Sequence, residues 1–430
     1  MKSHSVPQRR DRPTLGQATR VWGKIGVLSF GGPAAQIALM HKELVDDRDW
    51  LTEDQFLNAL SFCMLLPGPE AMQLATYAGW RLHGTLGGLI AGLLFVLPGA
   101  AVIMTLAVIY SLHGDVPLVA ALFYGIKAAV LVIVVEALLR VAKRALSRRW
   151  HWIIAGLAFV GIFFLSIPYP LIVLLAGVAG WFMAETEPHP RMIDMAHVSL
   201  GKTVGTIVLW LAIWLLPLLA LTWLDAPDLL VQVGRFFSTL AVVTFGGAYA
   251  VLAYMAQDVV VQFGWLSPRE MVDALGLAET TPGPLILVTQ FVGFLAGFKE
   301  GGLLLGVAAA LVALWVTFAP CFLWIFAGAP YIEWISAQPR LKGALKSITA
   351  AVVGVILNLS IWFGLHVLFA AVARQQAGPI TLWLPDTATI EWLAIALSVL
   401  CAVLAFRLHW GIFRILLVAA SLGAVGRLTF

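Results

Sequence analysis

The chain has 430 residues, of which 61% are hydrophobic and 12% charged, with a formal net charge of +4. A soluble domain carries about 25% charged and 45–50% apolar residues, so a water-soluble globule is excluded, as are a disordered chain, a collagen and a disulfide scaffold. The mean hydropathy of +0.92 and the 17 Trp fit a protein that faces lipid and anchors at its interfaces.

In chain order, residues 1–14 are basic and polar with no apolar run behind them, which reads as a cytoplasmic tail and not a signal peptide. Two irregular segments follow, at about 15–45 and 53–83. Charge-free windows then mark spans at 82–114, 150–184, 203–224 and 301–332, since a spanning helix needs about 20 residues. The window 150–184 is too long for one helix and is broken at Ser166-Ile167-Pro168-Tyr169-Pro170, which predicts a hairpin near Pro168. The clearest helices are 86–112, 117–139, 152–166, 169–184, 203–224, 301–328, 347–373, 389–406 and 411–427. Cys63, Cys321 and Cys401 are scattered, with no disulfide or metal spacing, and read as small buried hydrophobes.

The segment 30–69 aligns without gaps on 245–284, an offset of 215. Phe30-Gly31-Gly32 falls on Phe245-Gly246-Gly247, Trp50-Leu51 on Trp265-Leu266, and Pro67-Gly68-Pro69 on Pro282-Gly283-Pro284. Pro98 and Pro320 pair at an offset of 222 after a seven-residue insertion. The chain is therefore duplicated. Paired loops swap charge. Arg140, Lys143, Arg144, Arg148 and Arg149 face a counterpart at 374–391 with one Arg and two acids. The loop at 112–117, with Asp115, faces one with Arg340, Lys342 and Lys346. The turn at Pro168 faces one with Arg407 and Arg414. Basic loops stay in the cytoplasm, so the halves are expected to be inverted, with helix 203–224 as the inverting link. The expected fold is an all-α polytopic membrane protein of two inverted-topology repeats with broken helices and about 13 crossings, N-terminus inside. Its parts are a tail 1–14, a first repeat 15–185, a linker 186–228 and a second repeat 229–430.

The broken segments carry the functional expectation. The first is interrupted at Phe30-Gly31-Gly32-Pro33 and the second at Pro67-Gly68-Pro69. Irregular backbone at membrane depth must line a cavity or lie inside protein. Pro favours the first helical position, so Pro33 and Pro69 are expected to open half-helices whose N-termini point inward and attract anions. The second half repeats this at Gly246-Gly247 and Pro282-Gly283-Pro284, with Ala248 in place of Pro33. Intramembrane polar residues are the other signal. Glu70 and Gln73 follow the second break, Glu279 precedes the fourth, and Lys127 lies near the centre of helix 117–139. Asn58 and Asp273 share a repeat position. Glu136 is expected to pair with Arg140 at the interface, and Arg81 and His83 to act as anchors. No phosphate loop, H-E-x-x-H or G-x-S-x-G motif occurs, so neither an ATP motor nor a common hydrolase is supported, and no metal or cofactor is expected.

Ser29-Phe30-Gly31-Gly32-Pro33, Trp50-Leu51, Leu66-Pro67-Gly68-Pro69 with Gln73 and Gly79, and Phe95-Val96-Leu97-Pro98-Gly99 resemble the chromate ion transporter family. The second half resembles its partner repeat at Thr244-Phe245-Gly246-Gly247, Trp265-Leu266, Thr281-Pro282-Gly283-Pro284 and the stretch from Trp315 to Cys321. The resemblance runs from about Leu15 to the end. It implies export of chromate from the bacterial cytoplasm across the inner membrane, linked to the proton motive force, with sulfate as an analogue. Chromate and sulfate are tetrahedral dianions, suited to converging half-helix N-termini. The substrate site is expected at the four breaks, with Gln73. Coupling is expected at Lys127, ahead of Glu70 and Glu279, because antiport asks for a group that holds the anion when charged and frees it when neutral. The expected partners are the oxyanion, protons, the lipid bilayer and, in a homodimer, a second copy; nucleic acid is not among them. A sulfate transporter, a passive anion channel, and a non-transport enzyme or scaffold are the alternatives.

Overall fold

The computed structural model describes residues 13–30, 32–113, 116–184, 200–245 and 248–429. Gly31, Asp115, Gly246, Gly247 and residues 185–199 lie outside them. Helix α1 (Leu15–Leu28) is followed by α2 (Gly32–His41), and α3 (Glu53–Cys63) by α4 (Glu70–His113). The start of α1 is closed by a reciprocal Thr14–Gln17 capping box and that of α3 by Thr52–Gln55.

The broken segments fold back and do not run straight on. Continued as one rod, α1 and α2 would set Lys24 and Glu43 about 28 Å apart; instead Lys24 Nζ lies 2.6 Å from Glu43 Oε1. Phe62 of α3 and Tyr77 of α4, about 22 Å apart along a rod, have ring centroids 6.3 Å apart. The second repeat does the same with α9 (Asp228–Val243), α10 (Ala248–Gln257), α11 (Pro268–Thr280) and α12 (Val288–Gly328). There Phe236 meets Tyr254 at 5.7 Å, and Lys299 Nζ reaches Glu270 Oε2 at 2.6 Å. This corrects the expectation that these segments cross. Each is a hairpin with its break at the tip. Arms of 10 to 16 residues cover about 15–24 Å, short of a hydrocarbon layer about 30 Å thick.

Both α4 and α12 reverse direction internally. His83 and Gly84 have φ −136° and +62°; Gly301 and Gly302 have −143° and +73°. The same turn thus recurs at an offset of 218, so the insertion is taken up partly before the turn and partly after it. The arms of α4 pack so closely that a Cβ on Gly79 would fall 2.3 Å from the Gly87 carbonyl oxygen. Pro98 leaves the Leu94 carbonyl without its helical donor, and Gly26 of α1 packs directly on that carbonyl.

The uninterrupted helices form the frame. After α4 come α5 (Pro117–Ala145), α6 (Arg149–Phe163), α7 (Tyr169–Phe182) and α8 (Leu200–Trp223). After α12 come a short α13 (Ile332–Ala337), α14 (Pro339–Leu368), α15 (Trp392–Ala402) and α16 (Ile412–Thr429). Six described helices are long and apolar enough to cross a membrane, and three shorter ones are apolar. The most apolar window of α14 is 72% buried and that of α8 is 11%, so α14 sits inside the bundle and α8 on its lipid-facing rim. The expected helix 347–373 instead stops at Leu368. Strands β1 (Val372–Ala377) and β2 (Ile380–Pro385) pair antiparallel around Gly378, where φ is +60°. The hairpin docks on the α6–α7 turn through Thr381 N–H to the Phe164 carbonyl at 2.7 Å, so the fold is helical with one small exposed sheet.

The open ends of the two hairpin pairs lie at opposite ends of the bundle. His83 Nε2 lies 2.7 Å from the Pro13 carbonyl, which sets the turn of α4 beside the start of α1. From that turn the second arm of α4 runs about 43 Å towards Pro117, and Pro117 shares a cavity with Ser267 and Arg269 at the start of α11. Single cysteines at 20, 48, 145 and 342 should therefore label from one face of the membrane, and those at 269 and 378 from the other. The native cysteines are buried and give little background. Labelling of 20 and 48 from opposite faces would rule out the hairpin.

His41, at the end of α2, ties the first hairpin pair together, 2.7 Å from Glu53 and 3.3 Å from Asp46. The hydrogen bond that its ring donates to the Glu53 carboxylate holds its pKa above the usual histidine value despite some burial. A raised folded-state pKa gives stability that is full below about pH 6.5 and fades as pH rises through the folded value. The melting-temperature gap between the wild type and His41→Ala should therefore narrow from pH 5.5 to pH 8.5.

Candidate functional site

The four tips meet. Gly68 N–H donates to the Thr244 carbonyl at 2.9 Å, and Gly283 N–H donates to the Ser29 carbonyl at 2.8 Å. Donors and acceptors are repeat equivalents, 68 with 283 and 29 with 244. Each repeat thus satisfies the unwound backbone of the other. Ser29 and Thr244 turn their hydroxyls back to Ile25 and Leu240, which leaves their own carbonyls free for the glycines. Gly68 has φ +116° and Gly283 +89°, a region that L side chains avoid. A Cβ on Gly68 would also meet Gln73 Nε2 at 2.9 Å and Cys321 Sγ at 3.0 Å.

Two glutamine amides brace the tips. Gln36 Nε2 donates to the carbonyls of Gly283 (2.7 Å) and Ser29 (3.3 Å), and Gln73 Nε2 donates to Pro67 at 2.6 Å. The Oε1 atoms of both are buried and lack a partner among the described residues. Half-helices α2, α4 and α10 all begin at a tip, and α12 follows Pro284 through one 3-10 turn at Leu285–Leu287. Their positive ends therefore converge. The expected site residues do come together, with Gly31, Gly246 and Gly247 outside the described residues. They are unequal in access. Phe30 is 43% exposed and Gly32, Pro33, Pro67 and Glu70 are half-buried, whereas Thr281, Pro282, Gly283 and Pro284 are buried. Phe245 is half-buried. The open side belongs to the first repeat.

The expected coupling residues separate. Glu70 opens α4 beside the tips. Lys127 lines a cavity of about 900 Å³ but is not a lone cation there: its Nζ lies 3.0 Å from Asp273 Oδ1, and the Tyr110 hydroxyl donates to Asp273 Oδ2 at 2.8 Å. The side chains of Lys127 and Asp273 are only 13% and 4% exposed. Glu279 ends α11 at 6% exposure. Both its oxygens lack a hydrogen-bond partner of ordinary geometry among the described residues, and the Tyr249 hydroxyl faces it. Glu136 pairs with Arg140, as expected.

Sequence reading passed over Gln36, Tyr110 and Tyr249, and gave Asp273 no role. A glutamine inside an apolar half-helix was a visible signal for Gln36. The tyrosines gave none, since a transmembrane Tyr reads as an interface anchor until its hydroxyl is seen against a carboxylate.

Removing one member of a buried ion pair leaves the other charged and desolvated, which costs about 3–5 kcal/mol. Asp273→Ala should lower the melting temperature of the purified protein sharply, and adding Lys127→Met should recover most of the loss. An unchanged Asp273→Ala would mean that the pair contributes nothing. Gly68→Leu should weaken sulfate binding roughly tenfold to a hundredfold and loosen the tip contact, because the side chain has no room and an anion contact contributes about 1–3 kcal/mol. Wild-type affinity in sulfate titration would contradict this.

The chain matches the chromate transporter family over residues 16–181 and 231–425. It is 30% identical over 359 residues to a probable chromate transport protein of Synechococcus elongatus, covering 82% of this chain and 85% of that one. It is 29% identical over 347 residues to the chromate transport protein of Cupriavidus metallidurans, with 80% and 81% covered. It is 32% identical over 344 residues to that of Pseudomonas aeruginosa, with 77% of each covered. No solved structure matches it.

Proposed function

The chain belongs to the chromate transporter family, and from that premise we propose that it exports chromate across the bacterial inner membrane, as a carrier whose site is the meeting point of the four tips. The observation that carries the reading is the convergence of half-helix N-termini on a pair of cross-repeat backbone bonds. Such termini attract a tetrahedral dianion without a buried arginine cluster. Phe30, Gly32, Pro33, Pro67 and Glu70 form the accessible wall, and Gln36 and Gln73 hold the tips in shape.

Nine segments cross, namely the second arms of α4 and α12 with α5, α6, α7, α8, α14, α15 and α16; the two repeats are inverted, and the hairpins enter as two from each face. The N-terminus is cytoplasmic, on the side of Arg140 to Arg149 and of Arg340, Lys342 and Lys346. The stacking of Arg340 over Trp181, 6.0 Å from the ring centroid, supports this by joining the start of α14 to the end of α7.

The electrical part of the proton motive force is sufficient drive. Moving a charge through 100 mV is worth about 2.3 kcal/mol, so a dianion gains about 4.6 kcal/mol on leaving a cell that is negative inside. That supports a gradient on the order of a thousandfold. The antiport sign expected for Lys127 does not follow from electrostatics. An anion bound beside a charged amine or a protonated carboxylate retains that proton, which is the sense of symport. Lys127 is moreover neutralised by Asp273.

In proteoliposomes at equal pH, a potassium diffusion potential, positive inside, should accumulate labelled chromate, and an unlabelled load should drive counterflow, as a carrier requires. Accumulation that follows a pH gradient and ignores the potential would overturn the electrical reading. Flux without counterflow would point to a channel.

A further inference from the structure

Away from the tips, two cavities repeat the internal symmetry of the chain. One, of about 390 Å³, is lined by Gln17, Arg20 and Val21 of α1 and by Arg48 and Trp50. The other, of about 540 Å³, is lined on α9 by Gln232, Arg235 and Phe236, and beyond it by residues that include Tyr254, Asp258 and Phe263. At the offset of 215, Gln17 falls on Gln232, Arg20 on Arg235, Val21 on Phe236 and Arg48 on Phe263. Between 15–28 and 230–243 most side chains have diverged, yet the Gln and the Arg three residues on are retained in both copies. The cavities open at opposite ends of the bundle, the first beside Pro13 and His83 and the second beside Ser166 and Tyr169. In each, the Arg stands nine residues before the tip carbonyl, Ser29 or Thr244, which is about 13 Å along the arm.

Arg20 and Arg235 are the uncommitted cations of these cavities; neither guanidinium has a hydrogen bond or ion pair among the described residues, and both side chains are exposed. Arg48 is committed to Glu43, which also takes Lys24, and lies 5.8 Å from the centre of the Trp50 ring. Gln17 spends its Oε1 on the Thr14 N–H at 2.9 Å, which leaves its amide hydrogens free. A planar guanidinium fork beside a free amide donor suits two edges of a tetrahedral oxyanion.

We propose that these cavities are paired oxyanion-docking sites, one at each mouth of the pathway, in which Arg20 with Gln17 and Arg235 with Gln232 hold the dianion before it reaches the tips or after it leaves them. This rests on the transport reading above. The first site carries surplus positive charge because Glu43 is already neutralised. The second contains Asp258 and binds more weakly.

The test uses the full chain in vesicles of both orientations, with labelled sulfate and chromate offered to each face. Arg20→Gln should raise the half-saturation concentration roughly tenfold on the α1 face alone, and Arg235→Gln on the α9 face alone. Arg→Lys at either position should recover part of the loss. Equal effects at both faces, or none, overturn the proposal. An effect confined to vesicles of anionic phospholipid and absent from zwitterionic ones would assign the arginines to lipid phosphates and overturn it too. A wild type that moves neither anion counts against transport itself. Docking is then decided by equilibrium binding of labelled sulfate, which the double variant Arg20→Gln, Arg235→Gln must lose.

Discussion

A hydrocarbon layer leaves no water for an unpaired peptide group, and that constraint governs this molecule. Breaking a helix at mid-depth exposes donors and acceptors that must be met by other protein. Here each break is met by a break of the other repeat, Gly68 by Thr244 and Gly283 by Ser29, and the two contacts are repeat equivalents of each other. The backbone N–H groups of Gly68 and Gly283 are thus satisfied across the repeat boundary and not within their own repeat.

The same contact explains the chemistry of the surrounding positions. The two glycines are required by positive φ and by close approach, the hydroxyls of Ser29 and Thr244 are turned away from the contact, and Gln36 reaches across the repeat boundary to the Gly283 carbonyl. Because the glycine N–H groups are consumed by carbonyls, the donors left for an anion are those of the half-helix first turns. The asymmetry of access follows. In the second repeat α12 begins with a buried 3-10 turn, whereas in the first α2 and α4 begin next to partly open residues.

Charge placement separates stabilising from transporting roles. Lys127, Asp273 and Tyr110 form a paired set, at the edge of a cavity, that ties α4, α5 and α11 together. Glu279 and Glu70 remain at the tips without such a set.

Much was legible in the sequence because it depends on composition and local chemistry. Apolar windows gave the nine segments assigned as crossing, matched Gly and Pro signatures gave the duplication and the tips, and family motifs gave the substrate class. What the sequence left open was direction. A helix interrupted by Phe30-Gly31-Gly32-Pro33 has the same hydropathy whether it continues outward or turns back, and only the Lys24–Glu43 and Phe62–Tyr77 contacts decide for the hairpin. The partner of Lys127 was hidden for the same reason, because Asp273 is 146 residues away in the chain and the two meet only when the repeats interlock. Local sequence determines where a helix breaks; which backbone groups then pair across the break is set by long-range packing, and only the tertiary structure contains it.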